Sequence, residues 1–141
     1  MKFSEIEKER WDELAPYLDT CLLPVTGLTG KESPYEATEQ LERLRDMLDL
    51  VEIPFKGRVV TYPACHYVAD GPEKDDSIAR LVEGLRQSGF TYIIVATAKQ
   101  ELDFSRAGAD IVLRPGDNGV LPGQEFVGTL VRNTWSGNSA S

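Results

Sequence analysis

Three short stretches hold the residues of this chain that could do chemistry. Thr26-Gly27-Leu28-Thr29-Gly30-Lys31 offers hydroxyls, backbone amides beside glycine and an ammonium. Cys65-His66-Tyr67 offers a thiol, the single histidine and a phenol. Thr97-Ala98-Lys99-Gln100 adds another hydroxyl and another ammonium. The candidate ligand-binding set is therefore Thr26, Gly27, Gly30, Lys31, His66, Thr97 and Lys99. A glycine loop between a strand and a helix can hold an anion on its amides. A histidine at a strand end can serve as general base or metal ligand. Neither chemistry is complete here. A Walker-type phosphate loop needs Gly where Val25 stands and Ser or Thr where Glu32 stands, and Glu32 would repel phosphate. A metal site needs three or four ligands, and no cluster accompanies His66. Cys65 and His66 are adjacent on a strand and so face opposite ways, which spoils a nucleophile pair. The expectation is a turn at Gly27–Lys31, a structural His66, no catalytic residue, no metal and no cofactor.

These stretches lie where predicted parallel strands end, which is where open α/β sheets bind ligands. The strands read Thr20 to Thr26, Arg58 to Ala64 and Thr91 to Thr97, with a short fourth over Asp110 to Leu113. Pro24 cannot donate to a ladder and predicts a bulge or a strand end. Ile93-Ile94-Val95 is apolar enough for a strand covered on both faces.

Helices alternate with the strands. The first is expected from Ser4, capped by the Ser4/Glu7 box, with Trp11 and Leu14 facing inward and Pro16 closing or kinking it. Ser33-Pro34-Tyr35-Glu36 starts the second, whose inner face is Ala37, Leu41, Leu44, Leu48 and Val51, and which stops before Pro54. The stretch Asp70 to Asp76 reads as a polar loop, with Asp75 or Asp76 capping a third helix that Gly89 ends. Lys99 to Arg106 reads as a short helix. Asp117-Asn118-Gly119 is turn chemistry. Phe126, Val127, Leu130 and Val131 mark a last helix, followed by a disordered tail over 136–141. Trp11 and Trp135 read as core or subunit-contact residues. The alternation predicts an α/β three-layer sandwich, Rossmann-like or flavodoxin-like, over 1–135 as a single domain. Its sheet would be mainly parallel and four-stranded, with the first and third strands central.

Composition sets the bounds. A chain of 141 residues can bury a real core, and 41% hydrophobic with 27% charged residues is ordinary for a globular protein. A net charge of -8 argues against nucleic acid, whose phosphates need Lys and Arg. It argues equally against an anionic membrane surface. No apolar run is long enough to span a bilayer, and Met1 to Arg10 lacks an apolar signal core, so a cytoplasmic location is expected. Cys21 and Cys65 read as small apolar fillers rather than a disulfide.

Two resemblances add to this. Tyr17-Leu18-Asp19-Thr20 with Leu23-Pro24, and Phe55-Lys56-Gly57-Arg58 with Pro63-Ala64, resemble the YpiF-like family of uncharacterised proteins from Gram-positive, spore-forming bacteria. That resemblance runs from the first helix to the third strand and weakens after Asp110. It implies no activity, only a genomic setting near a menaquinol:cytochrome c reductase. Leu23-Pro24-Val25-Thr26-Gly27 and Leu85-Arg86-Gln87-Ser88-Gly89-Phe90 are similar to the creatininase-like amidohydrolases. The metal ligands that this second resemblance implies are missing, since Leu28-Thr29-Gly30-Lys31 and Ala96 to Gln100 contain no His. The leading expectation is a non-catalytic binding or accessory protein with a protein partner or a second copy of itself. The alternative is a small-molecule or anion-binding enzyme at the strand ends, a degenerate amidohydrolase.

Overall fold

A parallel sheet divides the molecule, and alternate residues of its strands feed two separate cores. The computed structural model describes residues 1–68 and 72–137. Its strands are β1 (Thr20–Leu28), β2 (Val59–Thr61), β3 (Cys65–Tyr67), β4 (Tyr92–Thr97) and β5 (Ile111–Leu113). Its helices are α1 (Lys8–Leu14), α2 (Pro34–Glu52), α3 (Pro72–Gln87) and α4 (Gln124–Trp135), preceded by a 3₁₀ turn at Phe3–Glu5. The order is β2-β1-β4-β5, with β3 also pairing β1, and every pairing is parallel. Cys21, Leu23, Val25, Ile93 and Val95 pack with Ile78, Val82 and Leu85 of α3, and Trp11 and Leu14 of α1 border them. Leu22, Ile94 and Ala96 point the other way, onto Met47 and Val51 of α2 and Val127 and Val131 of α4. A period of two along each strand produces this split. The result is the expected three-layer α/β sandwich, with β1 and β4 central and Ile94 buried.

The sheet has five strands, not four. The expected strand Arg58–Ala64 ends at Thr61, and β3 starts separately at Cys65. Thr20 N donates to Arg58 O (3.3 Å) and Tyr62 N to Leu22 O (3.0 Å). Even-numbered residues of β1 therefore direct their backbone to this side, and Pro24 is the next one along. It has no N–H to give, so the ladder breaks there.

Four helix expectations need correction. The Ser4/Glu7 box does not form. Met1 O accepts from Thr61 N (2.8 Å) and Lys2 bridges to Thr61, so the first residues follow β2 and α1 starts only at Lys8. Residues 72–76 are helical, which puts Asp75 and Asp76 inside the first turns of α3 rather than at its cap; Asp70 and Gly71 of the expected loop lie outside the described residues. Lys99–Arg106 forms isolated turns instead of a helix, because its carbonyls bind side chains: Arg114 to Gln100 O (3.0 Å) and Lys74 to Asp103 O (2.8 Å). In α2 the buried stripe is Leu44, Met47 and Val51, while Leu41 is exposed.

Other signals hold. Ser33 Oγ accepts from Glu36 N (3.3 Å) and Glu36 Oε1 accepts from Ser33 N (3.1 Å), closing the capping box of α2. Gly89 ends α3 at φ +115°, with Phe90 N donating to Leu85 O. Ser136 and Gly137 of the expected tail still donate to helix carbonyls, and residues 138–141 lie outside the described residues.

One polar hub ties α4 to the amino ends of β1 and β2. Arg58 grips Asp19 with Nε on Oδ1 (2.8 Å) and Nη2 on Oδ2 (3.0 Å). The same guanidinium lies 4.1 Å from the Trp135 ring centroid, and Trp135 Nε1 donates to Thr20 Oγ1 (2.8 Å). A planar, bidentate group that also stacks is not replaceable by an ammonium. Arg58→Lys should therefore lower stability by about 1 kcal/mol in chemical denaturation. An unchanged midpoint would remove this hub from the account.

Candidate functional site

Strand order reverses between β1 and β4, since β1 is followed through α2 by β2 on one side while α3 carries the chain to β4 on the other. In a doubly wound sheet the crevice outside these two carboxyl ends is the ligand position. Three of the chain's own side chains occupy it.

The first is Glu32. Its carboxylate accepts from Thr29 N at 3.1 and 3.0 Å, from Gly30 N at 3.0 Å and from Thr29 Oγ1 at 3.2 Å. The turn expected over Gly27–Lys31 starts only after β1 ends at Leu28, and its amides hold an internal carboxylate. Backbone N–H donation, that of Thr29 above all, pushes the Glu32 carboxyl down to about 2. The second is Lys99, whose Nζ donates to Gly27 O (2.7 Å) and lies 3.9 Å from Glu32 Oε2. The third is Leu102, packed so closely on Gly27 that a Cβ there would overlap it.

Gly27 earns its place by conformation as well. Val25 pairs with Cys65 and Leu28 with Tyr67, so β1 advances three residues while β3 advances two. Gly27 sits in that irregularity at φ +81°, a region costly for a side chain.

The remaining candidates fall into two groups. Thr26 Oγ1 and His66 Nδ1 are hydrogen-bonded at 2.9 Å across β1 and β3, with Thr26 buried and His66 exposed. Cys65 borders the opposite core, as alternation requires. Thr97 is buried, and its Oγ1 accepts from Lys99 N (3.3 Å). Lys31 is exposed; its backbone amide donates to Thr29 Oγ1, and its side chain is not drawn into the Lys99 cluster. So Gly27, Gly30, Thr97 and Lys99 are brought together around Glu32, Thr26 and His66 form a neighbouring pair, and Lys31 stands apart.

The chemistry of this arrangement is limited by what is already paired. Burial pushes the Cys21 thiol up to about 12 and raises Cys65 too, so neither supplies a thiolate at neutral pH. Among the described residues no group of three or more His, Cys, Asp or Glu side chains is placed to hold a metal. The Asp117–Gly119 segment is a turn, with Gly119 N on Gly116 O (2.8 Å) and Gly119 O held by Arg43 (2.7 Å).

Sequence reasoning missed Glu32 and Leu102. A signal for Glu32 was present: Thr29-Gly30-Lys31-Glu32 has the spacing of a capping box, in which the acid returns to nearby amides. Leu102 carried no comparable signal, because its contact with Gly27 is tertiary.

The Glu32 pairing has a pH consequence. Its folded-state value lies below the ordinary 4.5, so its contribution to stability is complete above that pH and fades as pH falls toward 2. Carboxyl-detected NMR titration should find Glu32 still ionised at pH 3. A midpoint near 4.5 would mean that the amide cradle does not hold it.

No curated protein and no solved structure matches the chain. A family model does, and it spans residues 9–109, from α1 through the crevice to the segment before β5. All the strand-end residues described above lie inside that match, so the chain belongs to DUF2487, a family of proteins of unknown function.

Proposed function

We propose that the chain is a cytosolic, non-catalytic binding or accessory protein, one α/β domain over residues 1–135. The observation that supports this reading most is the crevice filled from within: Glu32 takes the anion's place, Lys99 neutralises it and Leu102 covers Gly27. A site used for turnover would need those groups free. The YpiF-like kinship, with its bacterial setting, belongs to the same proposal and rests on the short motifs around Asp19 and Arg58. No helix among the described residues is long and apolar enough to cross a membrane, which is compatible with it. A protein partner or a second copy would meet α4 at Phe126, which is 63% exposed, rather than at Trp135, whose ring is engaged by Thr20, Arg58 and Phe55.

The second reading keeps a small-anion or amidohydrolase-like site at Thr26, Gly27, Gly30, Lys31, His66, Thr97 and Lys99. The Thr26–His66 hydrogen bond favours it, because it orients an exposed imidazole at a strand end. Thermal unfolding against phosphate, nucleotides and divalent metals separates the two. A true ligand at a hundred times its Kd would add about 2.7 kcal/mol. The first reading expects no shift from any of them, and a saturable shift would favour the second.

His66 sharpens the contrast. His66→Ala should cost about 1 kcal/mol, the loss of one partly exposed hydrogen bond, and leave the fold intact. Any turnover that the unaltered chain shows and this variant lacks would overturn the first reading.

A further inference from the structure

The two edges of the sheet are treated differently. Beyond β2, Met1 and Lys2 run alongside the strand, and Met1 O accepts from Thr61 N (2.8 Å). On the opposite side β5 is the last strand, and no described residue pairs with its outer edge. Backbone direction says which groups are left there. Even-numbered residues of β1 turn to β2, as Tyr62 N on Leu22 O shows. Tyr92 N donates to Asp19 O (3.1 Å), so even-numbered residues of β4 turn to β1 and odd-numbered ones to β5. Ile94 lies opposite Ile111 and Ala96 opposite Leu113. Ile111 and Leu113 therefore bond to the odd-numbered residues of β4, and Val112 turns its N–H and C=O outward. Neither group has a partner among the described residues. Burial agrees, since Ile111 and Leu113 are 5% and 2% exposed while Val112 is partly open.

Charge selects the occupant of this edge. Asp110 and Arg114 stand two residues to either side of Val112, on the same face of the strand, and both are exposed. An antiparallel copy of β5 centred on Val112 puts Asp110 opposite Arg114 at both ends. Opposite charges directly across a strand pair attract. Sliding the copy by two residues in either direction loses both pairs. The side chains have capacity to spare. Asp110 uses Oδ2 for Ile93 N (2.8 Å) and Arg86 (3.0 Å), and Arg114 uses Nη1 for Gln100 O (3.0 Å). Asp110 Oδ1 and Arg114 Nη2 have no partner among the described residues. Charged flanks discourage unrelated strands from an open edge, whereas an acid and a base at matched distances from the centre favour the chain's own copy.

We propose that two copies of the chain pair through β5, antiparallel and two-fold symmetric about Val112, so that their sheets run on as one. Val112 N–H of each copy donates to Val112 C=O of the other, and Asp110 of each faces Arg114 of the other. A three-residue strand stopped by Pro115 buries little area, so the dimer is weak, with a Kd on the order of 0.1 mM. This deepens the reading of a binding protein by naming a second copy as the partner, and it uses no residue of the strand-end crevice.

Sedimentation equilibrium of the full chain from about 10 µM to about 1 mM tests it, and a monomer–dimer equilibrium is expected. A monomer at every concentration would overturn the dimer and leave the filled crevice, which the thermal screen tests, as it stands. Val112→Pro removes the outward N–H without taking a bond from inside the sheet, and should abolish the dimer. Arg114→Glu sets like charges across the pair and should weaken it at least about tenfold. A dimer that survives both changes uses another surface, which would overturn the proposal. The register is read on the unaltered chain, independent of how either variant folds. In a mixture of isotope-labelled and unlabelled copies, NMR should show Ile111 Hα of one copy against Leu113 Hα of the other, the closely spaced opposite pair of this register. Absence of that contact in a sample that sediments as dimer would equally overturn it.

Discussion

The fold depends on β1. This nine-residue strand is buried along its whole length, and β2, β3 and β4 all pair with it. Its alternate side chains feed both cores, so it is the one element that every layer touches. A strand in that position should offer an unbroken row of donors. Pro24 interrupts the row toward β2, and the consequences run outward from there: the partner strand splits, β3 begins with its own register, and Gly27 absorbs the mismatch. The irregular edge is thus a property of two residues in β1, Pro24 and Gly27.

Beyond Gly27 the loop closes on itself. Two amides and a hydroxyl converge on the Glu32 carboxylate, and Lys99 approaches the same group from the end of β4. The electrostatics are those of an anion site, with the anion covalently attached. An intramolecular carboxylate needs no translational entropy to bind, so a free phosphate competes at a disadvantage. This pairing ties down the turn between β1 and α2 and joins Glu32 to Lys99 at the switch-point crevice.

Much of this could be read from the chain alone. The layer order, the central strands and the α2 cap followed from alternation, from the apolar run at Ile93–Val95 and from Ser33-Pro34-Tyr35-Glu36, all local patterns. The losses were at places where a tertiary contact overrode a local one. Ser4 and Glu7 have capping chemistry, yet the backbone of Met1 and Lys2 is drawn along β2. Lys99 to Arg106 has helical spacing, yet Arg114 and Lys74 take its carbonyls. At the candidate site the glycine-loop amides and the Glu32 charge are both visible in the sequence, while their pairing with each other is not. Glu32 was read as a charge that repels phosphate, when its position two residues after Gly30 lets it fill the cradle itself.

The central claim is that Glu32 holds the Thr29 and Gly30 amides against any external anion. Following those two amide resonances while inorganic phosphate is added at neutral pH tests it directly. The account predicts that neither signal moves in the unaltered chain and that both move when Glu32 is replaced by Gln. Saturable movement of both signals in the unaltered chain would contradict it.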